Sequence, residues 1–227
     1  AVSDQILIDG ILYNILAIAS DTSLTVDQLY RGAGFSGVSY VTASFLKNIT
    51  IENLTIQNSS GKTPLGMIEL KYVDSAIINN VVVDNFSSGS TGDGIHLLRC
   101  VKSIVSNSEI SRCIGNGIEL DSGQSSVVDN CFVHNNDSDA SGNAGILLNN
   151  SLNLGTKNII RQSSIAHNGH VGINIASGKN IIHGNFVYRN KNTGLLLQAG
   201  ECLITGNIIE QNGSYGIDLS TALSDFN

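Results

Sequence analysis

The chain has 227 residues and a net charge of −7, from 12 Lys and Arg against 19 Asp and Glu. Without a basic run, that balance excludes recognition of a phosphate backbone, so no nucleic-acid partner is expected. No apolar stretch approaches the roughly 18 residues of a membrane span, and the N-terminus AVSDQILIDG lacks the regions of a signal peptide. The sequence therefore reads as soluble, without membrane insertion, and with any export signal already removed. One proline against 24 glycines, with abundant Asn, Ser, Ile and Val, is a composition of strands and tight turns in which no helix is demanded.

Residues 1–44 read as a separate unit. Ile6 to Ile8, Tyr13 to Ile18 and Ser23 to Val26 have strand character, with turns at Asp9-Gly10, Ser20-Asp21-Thr22 and Arg31 to Gly34. A small antiparallel β-module is expected. Its pattern, IDG..Y.I..I.SDTSLTVD..Y.G...SG.SY, resembles a short β-module near the start of the shaft in many phage tail and baseplate proteins. Turn and core residues carry that likeness, and they hold no chemistry.

Residues 45–227 repeat. The chain reads GMIEL at Gly66, then GIHL at Gly94, GIEL at Gly117, GILL at Gly145, GINI at Gly172, GLLL at Gly194 and GIDL at Gly216, in steps of 28, 23, 28, 27, 22 and 22 residues. A second register, Ile56, Val83, Ile110, Val133, Ile165, Val187 and Ile209, advances with the first. Units too small to bury their own apolar faces must stack as a solenoid. The pattern I..N.I..N...GI.L, visible in GNFVYRNKNTGLLL and GNIIEQNGSYGIDL, resembles the parallel β-helix repeats of the pectin-lyase-like superfamily. Crossovers between parallel strands are right-handed. The expected fold is thus all-β: a right-handed parallel β-helix of about seven coils over residues 45–227, behind the small N-terminal module.

Stacked coils lie about 4.8 Å apart, so the registers predict ladders of like residues. Ile68, Ile95, Ile118, Ile146, Ile173, Leu195 and Ile217 should form one core column, and Leu70, Leu97, Leu120, Leu148, Ile175, Leu197 and Leu219 another. Asn136, Asn168, Asn190 and Asn212 should form a structural asparagine ladder at a turn. Short insertions at residues 59–66, 86–94, 134–145 and 149–158 interrupt the period, the third projecting Asp137 and Asp139. The four cysteines, Cys100, Cys113, Cys131 and Cys202, show no metal-ligand spacing and read as buried free thiols. Neither a metal nor a cofactor is expected.

Chemistry is confined to the outward positions of the Gly-apolar-x-apolar-x strands. The first outward column runs Glu69, His96, Glu119, Leu147, Asn174, Leu196, Asp218, and the second Lys71, Leu98, Asp121, Asn149, Ala176, Gln198, Ser220. Glu119 and Asp121 share a face about 6.5 to 7 Å apart, a spacing at which two carboxylates can serve glycoside hydrolysis. His96 should sit beside Glu119, whose charge would favour the imidazolium. Asp93, His96, Glu119 and Asp121 are therefore the candidate catalytic residues. Glu69, Asn149, Asn174 and Tyr188 are the candidate sugar contacts, although Glu69 also reads as a surface charge pair with Lys71. The bland alternative is a solvated face, with Asp93 serving only its turn.

Comparison within the fold narrows the chemistry. The calcium-binding motif of pectate lyases is missing, with only Arg99 and Lys71 near Asp93. The Asn-Thr-Asp, Asp-Asp and Gly-His-Gly segments of polygalacturonases are missing too. Alginate epimerases share Asp-Gly-Ile repeats, but their Tyr-Gly-Phe-Asp-Pro-His signature is not in this sequence. The two resemblances together imply a phage virion protein, tailspike-like or fibre-like: a homotrimeric shaft at a virion or cell surface, touching other virion proteins and a host polysaccharide. The alternatives are a polysaccharide-degrading hydrolase or lyase of the same fold, and a bacterial surface spacer.

Overall fold

The computed structural model describes residues 45–60, 65–87, 92–137, 142–151 and 155–219, together with the backbone of residues 5–8, 11–20, 23–26 and 42–43; for residues 58–60 it describes backbone alone. The chain divides into two compact units, Ala1–Leu46 and Lys47–Asn227. In the first, Ser23–Val26, Ile11–Ser20, Gln5–Ile8 and Thr42–Ala43 lie side by side as an antiparallel sheet. The turns expected at Asp9-Gly10 and Arg31 to Gly34 lie outside the described residues.

The second unit is a parallel β-helix. Seven strands, Gly66–Lys71, Asp93–Leu98, Ile118–Asp121, Ala144–Asn149, Val171–Ile175, Leu195–Leu197 and Ile217–Asp218, form one parallel sheet. The other faces begin as two long strands, Thr50–Ser60 and Ile77–Ser87. In later coils each long strand is replaced by two three-residue strands, as in Ile104–Ser106 and Glu109–Ser111. The bend between them has a local cause. Asn53, Asn80, Asn107 and Asn130 occupy one register with φ of 57°, 50°, 50° and 49°, a left-handed conformation that Asn tolerates better than most residues. Gln162 follows Asn130 at 51°, and Gly184 and Gly206 continue the column at 65° and 64°.

The predicted ladders are observed. Ile95, Ile118, Ile146, Ile173 and Leu195 pair in register and are fully buried. The second column holds from Leu70 to Leu197, but Leu219 is 66% exposed and leaves it. The first coil also departs from the repeat: Gly66 pairs with Asp93, so Met67 occupies the position of Gly94. The glycine column itself reflects close approach of the coils. A Cβ on Gly117 would lie 2.6 Å from the carbonyl oxygen of Gly145.

The asparagine ladder is present and carries more than its own contacts. Asn168 Oδ1 accepts from the Asn136 backbone N–H at 3.1 Å and from its amide at 3.2 Å, while Asn168 Nδ2 donates to Val133 O and to Asn190 Oδ1. Two further buried columns do the same at the other corners: Ser103, Ser126, Asn158, Asn180 and Ser163, Asn185, Asn207. Asn168 is 1% exposed, so its removal takes from the buried Asn136 backbone N–H the acceptor it has here. Asn168→Ala should therefore lower unfolding free energy by about 2 kcal/mol, read as a shift in the urea midpoint without a change in slope.

Cys100, Cys113 and Cys131 are buried free thiols, and Cys202 is partly exposed. Asp137, expected to project from its insertion, is fully buried; Asp139 lies outside the described residues. Among the described residues there is no helix, and none long and apolar enough to cross a membrane.

Candidate functional site

Pairing of Asp93–Leu98 with Ile118–Asp121 sets His96 directly opposite Glu119, and Leu98 opposite Asp121. These side chains leave the coil interior, yet they are not solvated. Asp93 is 3%, His96 4%, Glu119 7% and Asp121 9% exposed. A solvated face would leave these groups in water; over these two coils the face is closed.

Burial makes an unpartnered polar atom costly, and the partners define the geometry. Asp93 Oδ2 lies 2.9 Å from His96 Nδ1. Asp93 Oδ1 accepts from the Asn116 backbone N–H at 2.7 Å. Glu119 Oε2 accepts from Asn116 Nδ2 at 3.0 Å and lies 3.8 Å from His96 Nδ1. Glu119 Oε1 accepts from Asn149 Nδ2 at 2.8 Å. Asn116 Oδ1 in turn accepts from the Ala144 N–H, locking the hub to the next coil. Asp121 stands apart, taking hydroxyl protons from Ser122 and Ser151 at 2.9 and 2.6 Å.

An ionised Asp93 can only accept, so His96 Nδ1 carries a proton and donates it. That leaves Nε2 as the free ring nitrogen. It is buried and has no hydrogen-bond partner among the described residues. Burial opposes charge on His96, but the hydrogen bond to Asp93 and the charges of Glu119, Asp93 and Asp121 outweigh it and raise the imidazole above its ordinary range. Burial, with the nearby charge of Asp93, pushes Glu119 up to about 7, against the pull of the Asn149 amide and of His96. A cluster in this state holds an exchangeable proton near neutrality. Asp93, His96 and Glu119 also offer ligand atoms within 4.8 Å of one another, a span a divalent cation could bridge. Each of the four carboxylate oxygens of Asp93 and Glu119 also faces an N–H.

Asp93, His96, Glu119 and Asn149 are thus brought together, while Asp121 adjoins them in a separate hydroxyl pocket. Glu69 pairs in register with His96 and forms an ion pair with Lys71 at 2.8 Å. Asn174 lies two coils beyond Glu119 on the same sheet. Tyr188 belongs to a different sheet, where it stacks on Phe186 with ring centroids 4.3 Å apart, and does not approach the cluster. The residue that binds the cluster together is Asn116, whose one-coil offset from Asp93 is the only sequence signal of its role.

Residues 36–197 match the family described as right handed beta helix region. No curated protein matches. Among solved structures, the A-module of mannuronan C-5 epimerase AlgE4 from Azotobacter vinelandii is similar at a TM-score of 0.62 and 17% identity, covering 74% of this chain and 43% of that one. The A-module of epimerase AlgE6 from the same organism gives 0.61 and 18%, covering 75% and 44%. The periplasmic alginate epimerase AlgG gives 0.54 and 19%, covering 71% and 37%. The chain therefore spans less than half the length of each, and at such identities the likeness is one of fold. Together with the coil registers and the parallel ladders, the match over residues 36–197 establishes that the chain belongs to the right-handed β-helix family.

Proposed function

We propose that the protein acts on a polysaccharide by moving a proton to and from a sugar, with His96 as the base and acid, Asp93 as its positioning residue and Glu119 as the second proton holder. The observation that carries this reading is the buried Nε2 of His96, without a partner among the described residues while Asp93 fixes Nδ1. The arrangement is the orienting carboxylate, imidazole and open nitrogen of general acid–base chemistry. It does not suit two-carboxylate glycoside hydrolysis, which places its carboxyls across the scissile bond with room for sugar or water between them. Asp93 and Glu119 instead converge on one ring nitrogen, and Asp121 is held aside by Ser122 and Ser151. Proton abstraction and return at a sugar carbon, the class of epimerisation and β-elimination, fits better. The similar solved structures are named as epimerases of mannuronan or alginate, which supports a polysaccharide as the partner.

Incubation in D2O with alginate, polygalacturonate and a neutral glucan tests this. Carbon-bound deuterium or unsaturated ends in the recovered polymer are expected. New reducing ends without carbon-bound deuterium would assign a hydrolase instead, and an unchanged polymer would leave the rod reading.

That second reading, a shaft at a virion or cell surface, has one observation in its favour besides the N-terminal resemblance. Ile77, Ile104, Val127, Ile159, Ile181 and Leu203 form one outward ladder, with Ile77, Ile104, Ile181 and Leu203 at 41, 39, 37 and 55% exposed. An apolar rail of this length suits assembly. As a homotrimer the protein should give a threefold mass by light scattering, and Ile104→Glu with Ile181→Glu should reduce it to the monomer. A monomer from the unsubstituted chain counts against the shaft.

A further inference from the structure

We infer that Asn116 and Asn149 are positioning residues for Glu119: two amides, each turned by a backbone N–H so that its free end can only donate, clamp both oxygens of the carboxylate and let that group release a proton as well as hold one. The inference rests on the proton-transfer reading above, in which Glu119 is the second proton holder.

The direction of each amide follows from its anchor. A backbone N–H can only donate, so the atom it meets is the amide oxygen. The Ala144 N–H meets Asn116 at 2.8 Å, and the Asn150 N–H meets Asn149 at 2.7 Å. Both NH2 groups are thereby turned the other way, and each reaches a different oxygen of one carboxyl group. Asn116 Nδ2 lies 3.0 Å from Glu119 Oε2, and Asn149 Nδ2 lies 2.8 Å from Glu119 Oε1. The two anchors flank a single strand: Ala144 opens Ala144–Asn149, and Asn150 follows its end. One coil thus holds the carboxylate of its neighbour from both sides.

The clamp matters because everything else around Glu119 opposes its charge. Asp93 and His96 belong to the preceding coil, Glu69 stands one coil further back, and Asp121 lies two places along the same strand. The next strand sets uncharged Leu147 opposite Glu119 and Asn149 opposite Asp121. A carboxyl group 7% exposed among three other acids is driven to keep its proton. Donors that cannot reverse favour the ionised form instead, since a carboxylate accepts at both oxygens and a protonated acid does not. Burial and then Asp93 raise Glu119 to about 7, and the hydrogen bond from Asn149 is the largest influence in the other direction. Asn149 is committed to Glu119 at one end of its amide and to the backbone at the other. That fits a positioning residue better than the sugar contact expected from its register.

Carbon-13 NMR of the Glu119 side-chain carboxyl, identified by its loss in Glu119→Gln, tests the clamp in the full chain and in Asn149→Leu, Asn149→Asp and Asn116→Asp. Asn149→Leu removes one donor without adding charge and should move the Glu119 titration up by about one pH unit. Each aspartate variant keeps the backbone contact but sets an oxygen where a donor stood, so its shift should be larger. A merely structural amide would lower the thermal midpoint and leave the titration in place. If Asn116→Asp does not fold, the two variants at the partly exposed Asn149 still decide: a Glu119 titration unmoved or lowered in both overturns the clamp. Deuterium exchange separates the clamp from the reaction. Its basic limb, which the acid sets, should rise with the Glu119 titration. Raised titrations without any exchange would keep the clamp and sink the proton-transfer reading, whereas exchange with limb and titration both indifferent to Asn149 would do the reverse.

Discussion

His96→Gln should lower the rate of deuterium exchange or elimination by about 10² to 10⁴-fold, the range associated with loss of a positioned acid–base group. The glutamine amide can keep a hydrogen bond to Asp93, so the coil is expected to hold and the thermal midpoint to move by only a few degrees. What glutamine cannot do is accept and release a proton at the position of Nε2. Asp93→Asn separates positioning from proton transfer. Without the carboxylate, the ring loses the acceptor that fixes the proton on Nδ1 and the largest influence raising its pKa, so residual activity should show its acidic limb, which the base sets, shifted to lower pH. A merely structural Asp93 would lower the rate without moving the profile. Full exchange activity in His96→Gln would remove the imidazole from the mechanism.

The fold was largely legible because a parallel β-helix writes its geometry into the sequence. Each coil contributes the same inward positions, so Ile95, Ile118 and Ile146 could be placed in one column by counting, and the pairing reproduces that register. The departures occur where the period is local rather than repeated. Met67 displaces Gly66 because the first coil carries one extra residue before its apolar pair. Leu219 is exposed where no further strand pairs with its coil among the described residues. At the site, register alone put His96 beside Glu119, but it predicted an open face with Glu119 and Asp121 as the working pair. Closure, and the contact of Asp93 with His96 while Asp121 turns to Ser122 and Ser151, depend on side-chain partners three residues apart and one coil away. Asn116 bonds Asp93 through its backbone and Glu119 through its amide, a role that alternation along a strand cannot reveal.

Between about pH 5 and pH 8 the protein should lose stability as pH rises, by up to about 3 kcal/mol if Glu119 acts alone. Its carboxyl is held at about 7 rather than its ordinary 4.5, so the folded state binds a proton that the unfolded chain releases. That contribution is present at low pH and is lost as pH climbs through the folded value. His96 works in the same direction, since its pKa is also raised on folding, and its share disappears as pH passes above that raised value. Other shifted groups titrate outside the window. Asp84, lowered by its hydrogen bond to Arg112, matters only at more acidic pH, and the thiols of Cys100 and Cys131, pushed up to about 11, only at more alkaline pH. Glu119→Gln should therefore flatten the decline, leaving it less stable than the parent at pH 5 and nearer to it, or above it, at pH 8. The amide sacrifices one hydrogen bond with Asn116 or Asn149, but that cost does not vary with pH, so the slope is the readout. Urea midpoints at unit pH steps for both proteins decide the matter: a parent whose stability is flat or rises from pH 5 to 8, or a variant that declines as steeply as the parent, would mean that Glu119 does not hold the proton assigned to it.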